Sequence, residues 1–240
     1  MSSTGFPSTP RTGPHDARDR MRNFIWKRWW RLRVAVLRLR GIRGDFEQGE
    51  ISARAAGLTS RWMRQWPEFA PSPGGQTHVH SGYSRGYVRF HSLADHGRGR
   101  FTEAEMVEAM TRHAVALADL IELAGDPSLL VIAADWGKYD LFGAWSRKVF
   151  PDSWPWLKWR DAGDEEGDPF TYFWVTPIST LPSLIGPLER VVEEQGHVYV
   201  TDAGMNWIYS PYDGGADIYS TSIDIARTLR ERHSDWLPAD

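Results

Sequence analysis

The pattern of apolar and polar residues along the chain predicts helices interspersed with short strands. The clearest helix spans residues 102–124, where Thr102 and Glu105 have the spacing of a capping box and Gly125-Asp126-Pro127 ends the helix. Within it, one set of side chains recurs at three- and four-residue intervals, the period of a helix face. The set comprises Met106, Met110, His113, Leu117, Leu120 and Ala124.

Strand-like segments occur in several other places along the chain. They are Tyr87–His91, Leu129–Ala134, Phe170–Thr176, His197–Thr201, Asn206–Ser210 and Asp217–Tyr219. Further helices are expected over Phe46–Ala56, Leu181–Gln195 and Ser222–His233. Strands follow helices singly and also form a C-terminal meander. This mixture predicts an α+β fold, with an antiparallel or mixed sheet of about five to six short strands packed by three or four helices.

The composition is that of a soluble globular protein. The chain has 240 residues, of which 41% are hydrophobic and 25% charged, and its thirteen tryptophans suit an aromatic-rich core. Because it has no cysteine, disulfides, thiolate metal sites and cysteine nucleophiles are excluded. No apolar run reaches the roughly 18 residues of a transmembrane helix, and the N-terminus lacks the apolar region of a secretory signal. We therefore expect a cytoplasmic protein without a cofactor.

The charge is distributed unevenly between the N-terminal segment and the rest. Residues 1–43 carry eleven Lys/Arg and two Asp, a net charge of +9, which leaves −12 on residues 44–240 of a chain whose total is −3. We expect a disordered tail over 1–20, a basic Trp/Arg-rich arm over 21–44 and a single α+β domain over 45–240. Such an arm can attract nucleic acid or an anionic membrane, or it can fold back on an acidic body.

Motifs at several places carry a resemblance to a known family. RFHSL at Arg89–Leu93 is followed about twenty residues later by Arg112-His113 on the long helix, and then by YDGGAD at Tyr212–Asp217. Together with Arg100-Phe101, these motifs resemble bacterial domain-of-unknown-function family three-eight-eight-five over roughly residues 60–238. The resemblance implies a fold and supplies no activity.

The segment Ser210–Asp217, SPYDGGAD, can be interpreted as a turn or as a site. As a turn, Pro211 occupies its first position and Gly214-Gly215 supplies the positive φ values of a tight reversal. As a site, Asp213 and Asp217 present carboxylates to a divalent cation. We therefore keep both aspartates as candidate catalytic residues.

Three further residues are candidate metal ligands. His78 and His80 form a His-x-His pair, which places both imidazoles on one side of an extended segment. Asp202 could add a carboxylate. The alternative is that both histidines are exposed loop residues with no ligand.

Basic residues around the first motif form a candidate anion site, because guanidinium groups suit carboxylate or phosphate. Its members are Arg85, Arg89, His91 and Arg100. The alternative is structural, with Arg89 paired to an acid and His91 hydrogen-bonded to the backbone. His113, on the apolar stripe of its helix, is either a semi-buried structural residue or a general base.

Aromatic and acidic residues in the second half of the chain are candidates for binding a partner, since tryptophan is enriched at interface hot spots. These are Trp154, Trp156, Trp159, Glu165, Glu166, Asp168 and Tyr212. Core packing is the alternative for the tryptophans.

The motifs of several enzyme classes are missing, namely the G-x-S-x-G elbow, the P-loop, the dinucleotide fingerprint and H-E-x-x-H. The sequence therefore favours a non-enzymatic protein-binding domain of the immunity or adaptor type, whose acidic body binds a basic partner. Two alternatives stay open. One is a metal-assisted hydrolase or phosphoesterase, and the other is a nucleic-acid or membrane tether acting through residues 21–44.

Overall fold

The computed structural model describes residues 53–66, 86–93, 101–126, 128–136, 145–160 and 170–238. The helices within these ranges are α1 (Ala53–Gln65), α2 (Glu103–Ala124), α3 (Trp145–Val149), α4 (Ile185–Val192) and α5 (Ile223–Arg232). The strands are β1 (Tyr87–His91), β2 (Leu129–Trp136), β3 (Trp154–Arg160), β4 (Phe170–Ile178), β5 (His197–Asp202), β6 (Trp207–Tyr212) and β7 (Gly215–Ser220). Short 3₁₀ turns lie at Leu181–Leu184, before α4, and at Ser234–Trp236, after α5.

The strands of the described residues form one seven-stranded sheet in the order β1-β7-β6-β5-β2-β4-β3. Every neighbouring pair is antiparallel. The α+β class is therefore as predicted, and the sheet is wholly antiparallel. The expectation of five to six strands is wrong, because β3 was not recognised.

The missed strand β3 lies at one edge of the sheet, beside β4. Its register shifts between Pro155 and Leu157, which interrupts the two-residue alternation that identifies a strand in a sequence. Proline also argues against a strand unless the strand lies at an edge, as it does here.

The sheet separates two apolar cores. On one face α2, α4 and α5 pack against alternate strand residues such as Val131, Val200 and Ile218. On the other face α1 packs against the residues between them, such as Ile132 and Ile208. This alternation follows from the period of two along a strand.

The ends of α2 are as the sequence predicts. The side chain of Thr102 accepts a hydrogen bond from Glu105 N, and the Glu105 carboxylate accepts one from Thr102 N at 2.7 Å. At the other end, Gly125 adopts φ 73° and its N–H donates to Ile121 O at 2.9 Å.

Two other helix predictions need correction. The helix expected over Phe46–Ala56 overlaps α1, which continues to Gln65, and residues 46–52 of that expectation lie outside the described residues. The helix expected over Leu181–Gln195 is shorter, since a 3₁₀ turn precedes it and α4 ends at Val192. The predicted tail and basic arm lie outside the described residues. Among the helices that are described, none has the length and apolar character needed to span a membrane.

Candidate functional site

The fold brings the three family-like motifs together around β1. Arg89 on β1 lies opposite Asp217 on β7 in the antiparallel register. Ser92, at the end of β1, approaches His113 of α2. The motif residues are thus adjacent, but they lie on both faces of the sheet rather than around one cleft. They form two separate polar clusters.

The first is the Asp217 cluster, comprising Tyr87, Arg89, Tyr212 and Asp217. Arg89 Nε and Nη2 donate to the two carboxylate oxygens of Asp217 at 2.7 and 2.8 Å. The Tyr87 hydroxyl donates to Asp217 Oδ1 at 2.8 Å, and the Arg89 guanidinium lies 5.7 Å from the Tyr212 ring centre. The Asp217 side chain is only 3% exposed and that of Arg89 33%, so the carboxylate is sheltered and its charge is compensated.

The environment of this cluster alters two pKa values. Burial, with the neighbouring Asp217 carboxylate, raises the pKa of the Tyr87 hydroxyl. The hydrogen bonds from Arg89 to Asp217 raise the pKa of the guanidinium. With both pKa values raised, Tyr87 stays neutral and Arg89 stays charged beside the Asp217 carboxylate. Asp217 is therefore held as a structural counter-ion and is not presented to a cation.

The second is the His113 network, comprising Ser92, His113 and Tyr209. His113 Nδ1 lies 2.6 Å from the Tyr209 hydroxyl and Nε2 lies 3.3 Å from Ser92 Oγ. Burial lowers the pKa of His113 to about 4, so the imidazole is neutral at pH 7. The Tyr209 hydroxyl also lies 3.4 Å from His113 O, to which it can donate its proton. The geometry therefore accommodates either tautomer of the neutral ring.

The cavity beside the His113 network is too small for a substrate. Its volume is about 10 Å³, and Ser92, His113, Tyr209 and Trp236 are among its lining residues. This is about the space of one water molecule. Small-molecule sites occupy several hundred cubic ångströms, so the network has the geometry of a buried structural hydrogen-bond chain.

Two arginines cover the outer edge of β1. Ser220 N donates to Gly86 O, which fixes the pairing towards β7 and turns the carbonyls of Tyr87 and His91 outwards. Arg112 Nη1 donates to His91 O at 3.2 Å, and Arg230 Nη2 donates to Tyr87 O. These contacts hinder the addition of another strand at this edge.

The segment Ser210–Asp217 forms the hairpin between β6 and β7. Its turn lies at other residues than the sequence predicts. Tyr212 pairs with Gly215, so the turn residues are Asp213 and Gly214. Pro211 lies inside β6 and not at the first turn position. Only Gly215 of the two glycines has a positive φ, 152°.

The glycine at position 215 is required by the neighbouring strand. A Cβ atom there would lie 1.9 Å from Phe90 O. Gly215 thus permits the close approach of β1 to β7 that aligns Arg89 with Asp217.

Asp202 is committed to the turn between β5 and β6. Its Oδ1 accepts from Asn206 N and its Oδ2 from Asn206 Nδ2, both at 2.6 Å. Helix α1 and the residue after it hold the same turn, because Arg61 donates to Ala203 O and Trp66 Nε1 donates to Met205 O.

No group of three or more potential metal-ligating side chains is assembled within the described residues. His78, His80, Arg85 and Arg100 lie outside the described residues, so their proposed ligand roles stay predictions. Within the structure Asp202 and Asp217 are separately engaged, in a turn and in an ion pair. The described residues thus give no support to a metal centre at Asp202 and Asp217.

The candidate partner residues are also dispersed. Trp156 is buried, packs 5.5 Å from Trp62 between ring centres and donates to Thr59 Oγ1, so it belongs to the core. The Trp154 ring lies beneath Arg54. Tyr212 is half-buried in the Asp217 cluster. Glu165, Glu166, Asp168 and the side chain of Trp159 lie outside the described residues.

A large concave surface, the α2–α4 groove, was not predicted from the sequence. It has a volume of about 510 Å³ and lies between the first half of α2 and the segment leading into α4. Its lining residues are Met106, Val107, Met110, Thr111, Ala114, Leu117, Leu181, Pro182, Leu184, Ile185, Leu188 and Glu189.

The groove is apolar and open to solvent. Val107 is 63% exposed and Ile185 55% exposed. The sequence of α2 contains a pattern that indicates the groove. Uncharged residues recur at three- and four-residue spacing, and all of them are exposed in the structure: Val107, Thr111, Ala114 and Ala118. Solvent-facing helix surfaces are normally charged or polar.

The comparison with protein families shows to which family the chain belongs. A family model described as Domain of unknown function (DUF3885) matches residues 77–240, which is more than half of the chain. The chain belongs to this family. This DUF3885 match includes both polar clusters, α2 and α4. Neither the curated proteins nor the solved structures include a match to the chain.

Proposed function

We propose that this DUF3885 protein is a non-enzymatic, acidic domain that binds a basic protein partner, as an adaptor or immunity-type protein does. The observation that carries the proposal is the α2–α4 groove, with its volume of about 510 Å³ and its exposed Val107 and Ile185. Contiguous apolar surfaces of this kind mark sites of protein association. The acidic sequence downstream of residue 43 would attract a basic partner before contact.

The two polar clusters support binding over catalysis. Asp217 is neutralised by Arg89, and His113 is a buried neutral imidazole beside a cavity of about 10 Å³. A hydrolase acting through these residues would need space for a substrate and a carboxylate free to hold a cation. In the groove, by contrast, the apolar side chains of Val107 and Ile185 are already exposed.

The size of the expected effect follows from exposure. Val107 and Ile185 retain more than half of their accessible surface in the free protein. Covering either one on binding is worth about 1 kcal/mol. Replacing both with serine should therefore weaken association by about tenfold or more.

Affinity capture with matched variants tests the proposal. Tagged full-length protein, the variant Val107→Ser/Ile185→Ser and the control Met63→Ser/Ile223→Ser are incubated with lysate from cells that express the protein. Met63 and Ile223 are also about half exposed, on α1 and α5. We expect a stoichiometric protein partner with the wild type and the control and its loss with the groove variant. Equal capture by all three would contradict the groove as the binding surface.

A further inference from the structure

This inference rests on the proposed protein-binding function. The chemistry of the α2–α4 groove favours a helix over an extended peptide as its occupant. Two helices form its walls, and among the lining residues that the structure describes only Thr111 and Glu189 carry polar side chains. An extended peptide in such a groove would find few partners for its N–H and C=O groups, and unpaired backbone groups are costly once buried. A helix pairs its own backbone groups internally and needs only an apolar face.

The surface of α2 suits close contact with another helix. The uncharged face that includes Val107, Thr111, Ala114 and Ala118 extends over about three turns. Its members are small or β-branched, so they leave room for the larger side chains of a partner helix. Met110, in the groove, has the flexible side chain that adapts to varied apolar partners.

Acidic side chains lie in the groove and at the ends of its walls. Glu189 is the only charged residue among the groove-lining positions described. Glu103 precedes Val107 by four residues on α2, and Glu193 follows Glu189 by four on α4 and its C-cap, so both extend the groove walls. All three acids are exposed. The basic Arg112 is directed elsewhere, to Glu108 and His91 O.

We propose that the α2–α4 groove takes an amphipathic α-helix of a protein partner, with its apolar face against Val107, Met110 and Ile185 and a Lys/Arg flank beside Glu103 and Glu189. Apolar area supplies most of the affinity, and the acids select the charge of the flank. The selection is modest, because exposed ion pairs contribute little and are weakened by salt.

Synthetic helical peptides test the occupant directly. Three peptides share one set of apolar positions, and differ in carrying a lysine flank, a glutamate flank, or a lysine flank with a central proline that breaks the helix. Their binding to the full-length chain is measured by fluorescence anisotropy at low and high salt. We expect the lysine peptide to bind about tenfold more tightly than the glutamate peptide, with the difference shrinking at high salt. We expect the proline peptide not to bind.

Variants of the protein assign the effect to the groove. Glu103→Gln/Glu189→Gln should reduce the preference for the lysine flank, whereas the control Glu231→Gln on α5 should leave it unchanged. Ile185→Ser should weaken both helical peptides. Equal binding of lysine and glutamate peptides would overturn the charge assignment, and binding of the proline peptide would overturn the helical one.

Two outcomes separate this inference from the general function. If no peptide binds while affinity capture still returns a groove-dependent partner, the helical basic occupant is wrong and the protein-binding function stands. If sedimentation shows a full-length dimer that Ile185→Ser dissociates, the occupant is a second copy of the chain, which also overturns the inference.

Discussion

The buried imidazole of His113 should make the stability of the fold sensitive to acid. Its pKa falls from the ordinary 6.5 to about 4 because burial disfavours the charged ring. Between these values the unfolded chain binds a proton that the folded chain does not. The contribution of the neutral ring is therefore fully present above about pH 6.5 and is lost as the pH falls from 6.5 towards 4.

The size of this effect follows from the pKa difference. At about 1.4 kcal/mol per pKa unit, the full loss is roughly 3 kcal/mol, and the part lost between pH 7 and pH 5 is roughly 2 kcal/mol. His197, whose Nε2 is buried although its side chain is partly exposed, also has a pKa lowered to about 4 by burial and adds a second loss.

The perturbation is His113→Gln, which keeps a hydrogen-bonding side chain and removes the titration. Urea unfolding is followed at pH 7, 6, 5.5 and 5. At pH 7 the variant should be about 1–3 kcal/mol less stable, because the contacts to Tyr209 and Ser92 are disturbed. Between pH 7 and pH 5 it should lose roughly 2 kcal/mol less than the wild type.

The matched control is Ser92→Ala, which removes one contact of the ring but leaves the imidazole buried. It should lower stability by about 1 kcal/mol at every pH, with the slope of the wild type. An equal slope in His113→Gln and the wild type would refute the assignment of a neutral, buried His113.

Further expectations concern the Asp217 cluster and two glycines. Asp217→Asn removes the counter-ion of Arg89, which is one third exposed. We expect a loss of about 2 kcal/mol in urea unfolding, less than for a fully buried pair, and a loss below 0.5 kcal/mol would contradict the structural role. Gly215→Ala places a Cβ 1.9 Å from Phe90 O at φ 152°, so it should abolish cooperative unfolding, and a normal transition would count against the β1–β7 register. Gly57→Ala in α1, where no described residue lies within 4 Å of the added atom, should instead raise stability by about 0.5–1 kcal/mol.

The regular elements were predictable because their patterns are local. The capping box and apolar stripe of α2, and the alternation in β1, depend on neighbouring residues and appear in the structure as expected. Strand β3 was missed because a proline and a bulge remove that local pattern. Pro211 was assigned to a turn on propensity, whereas the pairing of β6 with β7 places it within a strand.

The arrangement of the polar clusters could not be predicted from local patterns. Arg89 and Asp217 are 128 residues apart, and only the register of β1 on β7 shows that they pair. His113 and Tyr209 are likewise 96 residues apart. The groove forms only when α4 packs beside α2, which the sequence does not show. Its wall on α2 is nevertheless indicated by three uncharged residues at helical spacing, Val107, Thr111 and Ala114.

Photo-crosslinking in cells that express the protein determines whether the α2–α4 groove contacts a protein partner. A photoreactive amino acid replaces Val107 in the α2–α4 groove or, in a control, Met63 on α1; both positions are more than half exposed. If the groove binds a protein partner, we expect a discrete crosslinked adduct with one protein from position 107 and none from position 63. Failure to form an adduct from position 107, or the same adducts from both positions, would contradict it.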